Sequence, residues 1–164
     1  MKTIRRRRKE NKTDYNIRMK LLKSDVPRAV FRKTDRYIIA AYVKSDEAKD
    51  KVVFGITSKL LLKHGWPEDM KGSLKSLSAS YLTGFIFGKK ISEKKLEVPV
   101  LDMGMIRNVP KGRVFAFVKG IVDSGIKIKS GTEVFPSEER IKGKNMKTDF
   151  SATFDKIKSK IEGK

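Results

Sequence analysis

The stretch RAVFRKTDRYIIAAYVKSDEAKDKVVFGIT, residues 28–57, decides the fold. Arg28-Ala29-Val30-Phe31-Arg32 is a short strand-like run. Lys33-Thr34-Asp35-Arg36 is a polar turn, and Tyr37 to Val43 is a second, β-rich run. Two such runs across a short polar link predict a hairpin. A charged loop over Lys44–Lys51 then leads to a third run, Val52 to Thr57, which predicts an antiparallel meander. Side chains alternate along a strand, so Arg28 and Arg32 share one face.

Downstream, Ser58 is placed to cap a short helix over Lys59–Lys63, ended by Gly65. A long helix is predicted from Ser73, with Leu74, Leu77, Tyr81, Phe85 and Ile91 as its apolar stripe and lysines in its last turns, where cations suit the helix dipole. Val98 to Leu101 is apolar and follows a helix, so it is expected to join the sheet in parallel through a right-handed crossover. Arg113 to Ser124 reads as a further helix stopped by Gly125, and Ile126-Lys127-Ile128 as a fifth strand at the edge. The predicted class is α/β, a mixed five-stranded sheet with helices packed on it, in the order β-β-β-α-β-α-β.

Both ends extend this core. Residues 1–12 have almost no apolar content and are expected to lack order when alone. Thr13 or Asp14 can cap a short helix whose stripe is Tyr15, Met19 and Leu22, and which Pro27 ends. Ser137 is placed to cap a helix over Glu138–Lys142. Phe150, Phe154, Ile157 and Ile161 define an amphipathic helix that either docks back or meets a partner. The divisions are 1–24, basic arm and short helix; 25–129, α/β core; and 130–164, C-terminal extension.

The 164 residues carry a net charge of +20. Residues 1–36 hold 14 Lys/Arg against 4 Asp/Glu, an excess of ten, and the other 128 residues hold 25 against 15, the same excess. Self-repulsion of that size opposes the compact state unless a polyanion relieves it. There is no cysteine, which excludes disulfides, zinc fingers and thiol catalysis and suits a reducing compartment. A single histidine excludes a histidine-rich metal site. Apolar runs fall far short of the roughly 20 residues that span a bilayer. No apolar region follows the arginines closely, which argues against a secretory signal, and Glu10 and Asp14 argue against a mitochondrial targeting peptide.

Two clusters carry the functional reading. Arg5, Arg6, Arg7 and Arg8 are either a solubilising tail or an arm that orders on a polyanion and releases its counterions. Arg28, Arg32, Lys33, Arg36 and Tyr37 gather cations and an aromatic ring at the hairpin, either as a solvated face or as a surface for phosphate contact and stacking. Gly84-Phe85-Ile86-Phe87-Gly88-Lys89-Lys90 is one residue too short for a phosphate loop and lacks Ser/Thr after the lysine. Its glycines instead predict close approach of a neighbouring element. Asp102 and Asp123 are the acids in positions a nuclease would use, but a two-metal site needs several converging carboxylates. Asp102 therefore reads as a loop anchor and His64 as part of a helix end, with no catalytic residue, metal site or cofactor expected.

The residues also resemble a known family. Arg5 to Tyr15, Arg18 and Leu21–Ser24 are similar to the start of archaeal and eukaryotic members of the universal large-subunit ribosomal protein eighteen family, which binds 5S rRNA. Collinear matches follow at Pro27-Arg28, Arg32-Lys33, Ile38–Ala40, Lys63–Trp66, Ala79–Gly84 and Gly88–Lys90. They continue at Val100–Gly104, Arg113–Ala116, Lys119–Gly125 and Pro136–Gly143. The resemblance implies a ribonuclease H-like motif of the translational-machinery type and no enzyme activity. It implies a structural constituent of the cytoplasmic ribosome that attaches 5S rRNA in the central protuberance. Large-subunit rRNA and neighbouring ribosomal proteins are its other implied partners, and no membrane is involved. Carried over by the match, the RNA-contacting residues are Arg5–Arg8, Lys12, Tyr15, Arg18, Arg28, Arg32, Lys33 and Arg36, with Thr57, Ser58, Lys111 and Arg113. The hairpin turn departs from the family pattern, with Thr34-Asp35-Arg36-Tyr37 where Ser-Asn, a basic residue and His are common. Gly112 abuts Arg113 directly, and the chain beyond about Asn145 lies outside the resemblance. The rival readings are a general nucleic-acid-binding protein and a ribonuclease H-like nuclease.

Overall fold

A computed structural model describes residues 3–47, 49–146 and 149–163. The predicted meander is present. β1 (Arg28–Lys33) pairs antiparallel with β2 (Ile38–Asp46), which pairs antiparallel with β3 (Lys49–Thr57). β4 (Val100–Asp102) joins β1 in parallel, with Arg28 opposite Val100 and Val30 opposite Asp102. The order is β3-β2-β1-β4.

Four strands stand where five were expected. Residues 126–128 form no strand because their backbone is used locally. The Ile126 N–H donates to the Ile121 carbonyl at 3.4 Å, and the Ile128 N–H to the Ile126 carbonyl at 3.1 Å. Among the described residues the mixed sheet therefore has four strands, one fewer than expected. The Lys44–Lys51 segment differs in the other direction. It is mostly ladder, with Lys44, Ser45 and Asp46 opposite Lys51, Asp50 and Lys49. The pairing runs on past the last apolar residue, which hydrophobic patterning cannot register.

One sheet face is apolar. Ala29 and Phe31 of β1 lie beside Ala40 and Tyr42 of β2, all nearly or fully buried. Two helices, α3 (Leu77–Glu93) and α4 (Arg113–Asp123), cover this face. Rings interlock across the layer, with Phe31–Phe117 at 5.1 Å, Phe54–Phe87 at 5.0 Å and Phe87–Phe117 at 5.5 Å. α3 starts at Leu77 rather than near Ser73, because the Ser76 hydroxyl caps it by accepting the Ala79 N–H. A separate 3-10 turn occupies Glu68–Ser73.

The glycines of the Gly84–Lys90 segment do bring helices together. A Cβ on Gly84 would lie 2.1 Å from the Phe117 carbonyl oxygen, and one on Gly120 2.2 Å from that of Tyr81. These distances are below any van der Waals contact, so the α3–α4 packing requires glycine at both positions.

The two ends fold onto the core. α1 (Arg6–Lys9) is a single helical turn, where no order had been expected, supported by the Arg6–Glu10 pair and by N–H groups of residues 8–13 donating to the carbonyls of Arg5 to Arg8. α2 (Tyr15–Lys23) is capped by Asp14, whose carboxylate accepts the Asn16 and Ile17 N–H groups. α5 covers Glu138–Lys142 and α6 Ser151–Glu162. α6 docks back: Phe154, Ile157 and Ile161 are buried, Phe150 packs on Trp66 at 4.9 Å, and Phe154 on Tyr81 at 5.5 Å. Among the described residues no helix is long and apolar enough to cross a membrane.

Candidate nucleic-acid interface

The second sheet face bears Arg28, Val30 and Arg32, and its chemistry is set by acids that the hydrophobic pattern could not place. Asp102 ends β4 beside β1. Its carboxylate accepts from Arg28 at 3.1 Å through one oxygen, and through the other from Arg32 at 3.0 Å and the Gly104 N–H at 2.9 Å. The expected loop anchor is thus also the clamp of two guanidiniums. Arg32 is fixed further by donating to the Asp102 and Phe31 carbonyls, both at 2.8 Å. Arg28, only 3% exposed, donates as well to Asp50 at 2.6 Å and to the Ser45 hydroxyl at 2.8 Å. Arg18 of α2 closes the network on Asp50 at 3.0 Å.

Arg28 is therefore a buried strut, while Arg32 keeps an exposed edge, its side chain 40% accessible. Partial burial works to raise the Asp50 pKa. The hydrogen bonds from Ser45 and Arg18, with the charges of Arg28 and Arg18, outweigh it and hold the carboxyl below its ordinary 3.8. A carboxyl depressed by folding contributes stability above its unfolded pKa and loses it as pH falls through the folded value. Asp50→Asn is therefore expected to be less stable than wild type at pH 7, with the gap closing below about pH 3.8. Thermal unfolding by circular dichroism across pH 2–7 checks this, and a gap that persists at the acid end contradicts it.

The arm lies over this face. A cavity of about 130 Å³ separates them, lined by Arg7, Lys12, Asp14 and Arg18 above and by Arg28, Arg32 and Asp102 below. Each arm arginine has a protein partner. Arg5 stacks on the Tyr15 ring at 4.7 Å, Arg6 pairs with Glu10 at 3.7 Å, and Arg7 donates to the Thr13 hydroxyl at 3.0 Å. Arg8 reaches Asp14 at 3.4 Å and the Met105 sulfur at 3.0 Å. Lys12 pairs with Glu10 at 2.8 Å. Exposed pairs like these contribute about 0–1 kcal/mol each, so a phosphate can displace them.

The remaining candidates divide. Arg36 is exposed at the hairpin tip, where the Thr34 hydroxyl accepts the Tyr37 N–H at 3.0 Å and shapes the turn. Lys33 alternates to the opposite face from Arg28 and Arg32, and lines a groove with Phe31, Lys111 and Arg113. Thr57 is half-buried. Ser58 is fully buried and its hydroxyl is used internally, accepting the Ile38 N–H at 3.0 Å and donating to the Leu74 carbonyl at 2.7 Å. That leaves its side chain no group to offer a ligand. His64 closes the turn over Ser58–His64, with Gly65 in the left-handed conformation behind it. Sequence reasoning missed Asp50 and Ser45, Arg107 of the Gly104–Gly112 loop, and Arg140. For Asp50 a signal existed only in the strand register.

Among the described residues no group of three or more His, Cys, Asp or Glu could hold a metal ion. Asp102, the acid a nuclease would need, is neutralised by two guanidiniums. Fold and face together present a cationic surface on which Asp102 and Asp50 orient arginines.

Residues 1–99 match the family model described as ribosomal large subunit proteins 60S L5 and 50S L18. The chain is 40% identical over 141 residues to the large ribosomal subunit protein uL18 of Methanoregula boonei, covering 86% of this chain and 79% of that one. It is 38% identical over 161 residues to the protein of the same name from Methanococcoides burtonii, covering 95% and 91%. A third relative of that name, from Korarchaeum cryptofilum, is 38% identical over 141 residues, covering 86% and 70%. The chain belongs to this family of large-subunit ribosomal proteins.

Proposed function

We propose that the protein binds 5S rRNA and helps attach it to the large subunit, in the central protuberance, where it also meets large-subunit rRNA and neighbouring ribosomal proteins. As a member of its family the chain is a constituent of the large subunit of the cytoplasmic ribosome. The observation that carries the finer reading is the clamped Arg28–Asp102–Arg32 cluster beneath an arm of four exposed arginines. A preformed guanidinium face selects RNA shape at little ordering cost, and the arm adds counterion release.

In this reading residues 1–24 are the RNA-facing arm, with Arg5–Arg8, Lys12, Tyr15 and Arg18 at the phosphates. Residues 25–129 carry the rigid core, on which Arg32, Arg36 and Thr57, and in the groove on the other side Lys33, Lys111 and Arg113, meet RNA while Arg28 positions Arg32 through their shared carboxylate. Residues 130–164 buttress the core. Ser58 acts through the backbone it holds.

Competition binding at near-physiological salt tests this, with labelled 5S rRNA against excess tRNA and duplex DNA. 5S rRNA is expected to keep its complex. Equal competition by tRNA or DNA leaves only a generic polycation.

A further inference from the structure

The loop between β4 and α4, residues 104–112, separates two cationic surfaces. On its arm side Gly104 abuts the Arg32 guanidinium, where a Cβ would come within 2.8 Å, and Met105 accepts from Arg8. Its other side walls a groove of about 730 Å³, floored by Phe31 and closed by the first turn of α4. That volume lies within the roughly 300–1,000 Å³ of small-ligand sites.

The groove has two kinds of lining. Leu77, Ile106 and Val109 make apolar walls, and Val109 is 52% exposed. Lys33, Arg107, Lys111, Arg113 and Arg140 ring those walls, and among the described residues no acid lines the groove. Among the described residues none of these five cations has a side-chain hydrogen bond or ion pair. Five unneutralised cations around one cleft repel one another, and an anion seated there relieves that. The loop is held open by its backbone, with the Lys111 N–H on the Val134 carbonyl at 2.8 Å and the Gly112 N–H on Val109 at 3.2 Å. Lys111 sits at φ +58°, a left-handed conformation uncommon for a side chain of this kind.

We propose that this groove receives one unstacked nucleotide of 5S rRNA. Its base lies against Leu77, Ile106 and Val109, and its flanking phosphates lie on the ring of cations. The inference rests on the 5S rRNA reading and extends it to a specific pocket. Charge complementarity calls for a polyanion. A duplex would present only its backbone and leave the apolar walls wet, whereas a splayed-out base covers them. The groove and the arm face lie on the two sides of one loop, so an RNA folded around that loop can meet both.

The test is a 2′-hydroxyl acylation footprint of 5S rRNA with the full chain and two variants, Val109→Glu and the double change Arg107→Ala/Lys111→Ala. All three positions are exposed, so folding is expected to persist. Each variant is expected to bind about tenfold more weakly. Each should also restore free-RNA reactivity at one short unpaired segment that the wild-type chain protects. An arm variant with Arg5–Arg8 changed to Ala should keep that segment protected. Wild-type footprints from both groove variants, or weaker binding with no localised change, overturn the groove while leaving 5S binding intact. Loss of 5S preference by the wild-type chain overturns both readings.

Discussion

Asp102→Ala is expected to cost about 3 kcal/mol or more of unfolding free energy, because it strands a buried guanidinium. Arg28 and Asp102 side chains are 4% and 8% exposed, so water cannot reach either group freely. The substitution removes at once the partner of Arg28, that of Arg32 and the acceptor of the Gly104 N–H. Asp50 still holds Arg28 on one side, which keeps the effect at the low end of the range for broken buried pairs. For a chain of this size the loss corresponds to a fall in Tm of about 6–12 °C. Asp102→Asn retains an oxygen for the Gly104 N–H but no charge, and should fall between wild type and alanine. Binding separates this from a purely structural effect. At a temperature where Asp102→Ala is fully folded, its preference for 5S rRNA over tRNA should shrink, since Arg32 has lost the carboxylate that aims it. An unchanged Tm for Asp102→Ala would show that the cluster is not a structural clamp.

Changing Arg5–Arg8 to Ala is expected to act in the opposite manner, on binding and hardly on stability. α1 buries no residue, and its ion pairs are of the exposed kind. Removing four phosphate contacts should flatten the plot of log binding constant against log salt by about three to four units. Affinity at low salt should drop steeply, and the deficit should narrow as salt rises. Tm should move by no more than about 3 °C. Fluorescence anisotropy with 5S rRNA between 50 and 300 mM salt reads the slope directly. A slope equal to wild type would mean that the arm stays on the protein face when RNA is bound.

The meander, the two covering helices and the capped helix after the arm were legible in the sequence because each is written in local terms. Strands of period two are bounded by turn residues, helices of period 3.6 are bounded by Asp14 and Gly125, and Gly84 lies within an apolar helix that needs a close neighbour. The C-terminal stripe Phe150, Phe154, Ile157 and Ile161 announced an apolar face, but its partner, the surface of Trp66 and Tyr81, lies some 70 to 90 residues away. The fifth strand failed for a related reason. Ile126 and Ile128 have the alternation of a strand, and only the backbone bonds to Ile121 and within the segment decide that they do not join the sheet.

Charge shows the same division. From the sequence alone, this chain is a strongly basic α/β protein with an arginine arm, two arginines on one strand face and the motifs of its ribosomal family. What each cation does was decided by tertiary contact. Burial and ion pairing depend on which carboxylate a fold brings within 3 Å. Parallel pairing of β4 brought Asp102 to Arg28 and Arg32, and the extended β2–β3 ladder brought Asp50 to Arg28. The same pleat sent Lys33 to the other side, into company with Arg107 and Arg140 that no sequence spacing connects. Electrostatic interaction falls off with distance in space, and space is assigned by the sheet.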